Sequence, residues 1–155
     1  MKLYHATFKE NEASILEKGL ERFHDQNFEG MSMNDCIYFA FDIDAAVSFL
    51  ESADTYDGQE IVVFEIDSRD LDIKSISYDW NNRCEYEKDI ISIAYEDDVS
   101  PEHLHLMSKE EMEQAEPCEF SDLKHLDDSS AEIWEKIGTI FDEEVETNKD
   151  IEERE

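Results

Sequence analysis

Cys36–Leu50, CIYFAFDIDAAVSFL, changes period in mid-stretch, and that change decides the fold class. Its first six residues are strand formers, Cys36–Phe41. From Asp42 the apolar residues switch to helical spacing, so that Ala45, Ala46, Phe49 and Leu50 share one face. Asp42 or Asp44 is placed to cap that helix. The chain opens in the same way. KLYHAT (2–7) reads as a strand, Asn11 as an N-cap, and EASILEK as a short helix stopped by Gly19. Both strands carry a polar ring, His5 and Tyr38, where a strand that only packs would hold Val or Ile.

Further along, IVVFEID (61–67) is the most apolar strand, IKSIS (73–77) alternates with period two, and DIISIAY (89–95) is another β run. Residues 20–35 are polar with isolated Phe23, Phe28, Met31 and Met33, the pattern of an ordered loop lying over the domain. The expectation is an α+β domain over 1–107: a split, curved antiparallel sheet with short flanking helices. Residues 108–155 form an acidic helical extension. There Ser129–Glu132 reads as a capping box, and Ile133, Trp134, Ile137, Phe141 and Val145 make an apolar stripe that docks on the domain or on a partner.

Composition narrows the function. In 155 residues there are 43 acidic and 13 basic side chains, a formal charge of −30, which repels nucleic acid and anionic membranes and leaves as partners basic proteins, cations, or a small anionic ligand held in a locally positive pocket. Hydrophobic content of 40% still suffices for one core. No apolar run approaches the roughly 18 residues of a membrane span. Cys36, Cys84 and Cys118 form no CxxC pair, and the N-terminus has no basic, apolar leader pattern, which fits a reducing, cytoplasmic setting. His103 and His105 lack further ligands at metal spacing, and the acidic runs lack calcium-loop order, so no metal is expected.

LYHAT, a helix ending EKGL, and IYFAFDIDAAVSF together resemble the ADP-ribosyltransferase fold of the diphtheria-toxin and poly(ADP-ribose) polymerase type. That family has a His in an L-[YW]-H-[GA]-[ST] strand, a Tyr in a G-I-Y-F-A strand, and a second aromatic twelve residues after that strand's Ile, which here is Phe49. The likeness spans roughly residues 3–106. It implies that NAD is the substrate, that His5 donates to a ribose hydroxyl with Thr7 beside it, and that Tyr38 and Phe49 wall a nicotinamide slot. Ala6 and Phe39 would border that slot, and Arg22 would supply positive potential for the pyrophosphate. The rings of His5 and Tyr38 should face one cleft; rings on opposite sides of the sheet would sink the assignment.

The chemistry also asks for a carboxylate beside the oxocarbenium-like transition state. The family's Glu would fall near Ile90, where this chain has none. Glu87 and Asp89 are the nearest acids, and Glu85 and Glu96 are weaker choices. The family's glycines before the second strand are replaced by Asn34-Asp35-Cys36. The expected function is mono-ADP-ribosyl transfer from NAD to a macromolecule, with NAD glycohydrolysis as its simpler form. The alternative is a non-catalytic acidic inhibitor that covers a basic, nucleic-acid-binding surface. Both suit a phage-encoded protein. The family's RNA 2′-phosphotransferase branch would need a basic groove that four arginines do not furnish.

Overall fold

The computed structural model describes residues 1–22, 36–53, 56–82 and 84–153. Most of the loop expected over 20–35, including Phe23, Phe28, Met31 and Met33, lies outside them. The chain builds an α+β fold on one six-stranded antiparallel sheet. Its elements in chain order are β1 (Lys2–Phe8), α1 (Glu12–Lys18), β2 (Ile37–Ala40), α2 (Ile43–Glu51), β3 (Ile61–Asp67), β4 (Ile76–Tyr78), β5 (Ser92–Tyr95), β6 (His105–Leu106), α3 (Lys109–Gln114), α4 (Leu123–Leu126) and α5 (Asp128–Glu153). Across the sheet the order is β4-β5-β2-β1-β3-β6.

Strand alternation sorts the side chains into two cores. On one face Leu3, Phe39, Phe41, Phe64, Ile66 and Ile93 meet Phe120, Leu123, Ile133, Ile137 and Phe141 from the C-terminal segment. On the other, Tyr4, Ala6, Phe8, Ala40 and Val63 meet Ala46 and Leu50 of α2 and Met107. The acidic extension is thus one wall of the main core. Its helix α5 packs on β4, and Lys136 donates from Nζ to the carbonyls of Ile73 at 2.7 Å and Lys74 at 3.2 Å.

Of the two caps expected for α2, Asp42 is the one used, its Oδ1 accepting from Ala45 N–H at 2.7 Å. Other local expectations are corrected. Asn11 makes no side-chain cap; its amide donates to Thr7 Oγ1 at 3.0 Å. The box before α5 is Asp127 with Ser130, two residues earlier than Ser129 with Glu132, because Asp127 both accepts from Ser130 N–H at 2.8 Å and receives the α-ammonium of Met1 at 2.5 Å. Ile73–Ser75 is a 3-10 turn that the apolar pattern had merged with β4, and the strand expected from Asp89 begins only at Ser92, after the 3-10 turn Glu87–Asp89. Gly19, in contrast, stops α1 as expected. Its φ is +82°, and a Cβ there would lie 2.0 Å from the Val99 carbonyl oxygen.

Candidate functional site

The sheet is closed everywhere except between its two central strands. β1 pairs with β3 along its whole length, Lys2 with Asp67 through Phe8 with Ile61, whereas it pairs with β2 only at Tyr4 and Ala40. Continued by one step, the register would set Ala6 against Tyr38, and no such pair forms. Phe41 N–H bonds back to Ile91 on the β5 side, so the polar backbone groups of Ala40 and Tyr38 are directed at β1. Lys9 N–H bonds Glu60 on the β3 side, so those of Ala6 are directed at β2. Past Tyr4 the sheet therefore splits, with polar backbone aimed into the opening.

His5 stitches that opening. Its Nδ1 lies 2.8 Å from the carbonyl oxygen of Tyr38, and its ring stands edge-on to Phe39, centroids 6.0 Å apart. A carbonyl can only accept, so Nδ1 carries the proton. Burial pushes the His5 pKa below its usual value, against the opposing pull of the Tyr38 carbonyl. The ring is neutral at pH 7 and Nε2 is an acceptor. This corrects the expected polarity: Nε2 of His5 is able to accept from a hydroxyl rather than to donate to one.

The rings do not share one face. His5 lies opposite Phe64 and follows Leu3 on the face of the main core, whereas Tyr38 alternates with Phe39 and falls on the face of Ala40 and α2. The expectation of one cleft seen by both from the same side fails, which removes ring placement as support for the family resemblance. They flank the split instead, one from each face. Phe49, half-buried on α2, packs against the second core on the Tyr38 side.

The other expected residues divide as follows. Ala6 is buried beside the opening. Thr7 is buried, with its hydroxyl accepting from Asn11. Phe39 is fully buried between His5 and Tyr95, so its assignment as a ligand contact is corrected: the odd positions of β2 point into the main core. Arg22 donates its backbone N–H to Asp98 Oδ1 at 2.8 Å, beyond the Leu20–Val99 bridge at the C-terminal end of β5.

The candidate carboxylates are not brought beside His5. Ser92, the first residue of β5, faces Ala40, and Ala40 faces Tyr4 at the closed end of the split. Half-buried Glu87 and exposed Asp89 precede Ser92 in a turn that packs against Phe120–Asp122, past that closed end. One acid that the sequence reading passed over does lie at the start of β5. Asp79 is 5% exposed and accepts a hydrogen bond from Ser92 Oγ at 2.7 Å. Its signal was a lone Asp directly after a strand, which reads as ordinary turn chemistry.

Among the described residues no group of three or more His, Cys, Asp or Glu side chains is arranged to hold a metal, and no helix is long and apolar enough to cross a membrane. No protein-family model, curated protein or solved structure matches the chain.

Proposed function

We propose that the chain is a cytoplasmic mono-ADP-ribosyltransferase, which cleaves NAD at the nicotinamide–ribose bond and transfers ADP-ribose to a macromolecular target. The observation that carries this reading is the split between β1 and β2, flanked by His5 and Tyr38 with Phe49 on the Tyr38 side. A flat ring entering edge-on between the strands meets backbone polar groups directed from Ala6, which suit a carboxamide's donor and acceptor. Tyr38 and Phe49 lie on the same face of the sheet, where two aromatic rings can hold it flat. A ribose that follows it reaches His5 from the other face, and a hydroxyl there donates to Nε2. Opposite faces would forbid a shared site on a continuous sheet; a split sheet lets one ligand touch both.

The test is incubation with NAD labelled in its adenylate half, in a lysate, with nicotinamide release followed in parallel. A labelled macromolecule supports transfer. Release without label supports glycohydrolysis. Neither outcome leaves the second reading, an acidic protein that occupies a basic surface, which the formal charge of −30 favours. Tyr38→Ala should abolish turnover in a folded protein, and His5→Ala should lower it about a hundredfold through misplacement of the ribose. Glu87→Gln and Asp89→Asn settle the carboxylate. A loss of about a hundredfold in one assigns it, on the scale of removing one transition-state-stabilising group; changes within about twofold in both leave the split without a carboxylate from that turn.

A further inference from the structure

Helix α2 serves two surfaces. Its last turns hold Phe49, while its first turn, Asp42–Asp44, forms one bank of a cleft of about 440 Å³ whose other bank is α3 and the segment that follows it. Ile43, Met112 and Ala115 give the cleft an apolar floor. Ile43 and Met112 rest on the second core, which fixes that floor to the sheet. The rim carries Asp42, Asp44, Glu113 and Glu116 against Lys109. Asp42 is partly engaged in capping Ala45, but Asp44, Glu113 and Glu116 are exposed.

An apolar trough with an acidic rim is complementary to one side-chain type, an aliphatic stem that ends in a cation. An acidic or phosphorylated segment would meet like charge on both banks. A purely apolar one would bury the floor but leave the rim carboxylates to lose water without compensation. Met112 adds an adaptable surface able to accept stems of different shape.

We propose that this cleft docks a basic segment of a partner protein, with a Lys or Arg stem on Ile43 and Met112 and its charged head between Asp44 and the Glu113–Glu116 bank. Resting on the transferase reading, the cleft is then the target-recognition site. Along α2, Ile43 and Phe49 are separated by six residues, about 9 Å at 1.5 Å per residue. A segment seated at the first turn lays its neighbouring side chains toward the split.

The experiment is fluorescence anisotropy of the full chain with a fluorescein-labelled peptide of Lys-Lys-Leu repeats at about 0.15 M salt. Under these conditions the Debye length of roughly 8 Å suppresses distant charges. The double variant Glu113→Lys with Glu116→Lys should weaken the peptide at least tenfold. Glu10→Lys with Glu17→Lys, the same charge change on exposed residues at and before α1, should weaken it by less than threefold. Equal losses in the two variants, or no binding by the native chain, overturn the proposal. Because the measurement needs no NAD, a chain that binds the peptide at this cleft yet never turns over NAD keeps the docking site and loses the transferase reading.

Discussion

The two sides of β1 differ in how they are paired. Toward β3 the strand forms an unbroken ladder, with Leu3, His5 and Thr7 opposite Ile66, Phe64 and Val62. Toward β2 it forms one pair and then parts from it, with a histidine side chain reaching across to the carbonyl that the next pair would have used. The β3 side maximises burial and backbone pairing. The β2 side gives up ladder bonds in the middle of a sheet, where they are most sheltered, and a fold accepts that loss where an opening is useful. The lesson is that backbone pairing is concentrated on one edge of β1 and given up on the other.

Substitutions can break that division, and the largest effect is expected on the closed side. Phe64 is fully buried and faces His5 across the ladder; Phe64→Ala should cost about 3–5 kcal/mol in chemical denaturation. A cost under 1 kcal/mol would mean that the closed side is not where stability resides. Gly19→Ala tests the frame around the opening. The left-handed φ and the approach of the Val99 carbonyl oppose a Cβ, so the Leu20–Val99 bridge must open, at about 2–3 kcal/mol. A thermal midpoint unchanged from the native chain would contradict that geometry.

The smallest effect sharpens the open side. Because burial lowers the His5 pKa, the unfolded chain binds the proton more readily than the folded one. Stability therefore rises with pH in the range where only the unfolded His5 is protonated. The cost sets in as pH falls through the unfolded value of about 6.5 and stops growing below the folded value. Denaturation midpoints between pH 5 and 7.5 should show this slope for the native chain and a shallower one for His5→Asn. An identical slope in both would show that His5 is not held neutral by its place in the split.

Acid pH brings in a separate group. The hydrogen bonds from Arg69 to Asp67 depress that carboxyl's pKa well below the carboxylate range, and the Met1 ammonium lowers that of Asp127. Both contribute stability that is present above the unfolded value of about 3.9 and is lost as pH falls toward their folded values. Asp67→Asn should flatten the acid limb of the stability profile below pH 4 without altering the slope near pH 6. A change in the neutral slope instead would mean that the two regions titrate together.

How much was legible follows from range. The switch of period within Cys36–Leu50 and the Gly19 stop were readable because a few neighbouring residues determine them, and the α+β class with an antiparallel sheet came with them. The polar rings of His5 and Tyr38 were readable as exceptions to strand chemistry. Which face each ring occupies was not, because that depends on the register of β1 against β2, and a shift of one residue reverses it. Polarity at His5 was equally hidden, since the proton's position is set by a carbonyl 33 residues away in sequence. The 3-10 turn at Ile73–Ser75 and the start of β5 only at Ser92 were concealed by apolar runs whose period did not change at the boundary. In a chain so rich in acids, no local signal separates buried Asp79 from its exposed neighbours.

The strand order has one more consequence. The outermost strands are the shortest in the sheet, β4 with three residues and β6 with two, while the long ladders lie inside. A sheet edge of that length offers a neighbouring molecule few unpaired backbone groups to extend. Self-association through edge-to-edge pairing is discouraged by the geometry of the rim as well as by the repulsion of like-charged copies. In a concentrated preparation at high salt, where that repulsion is screened, the short rims remain as the safeguard against cross-β growth.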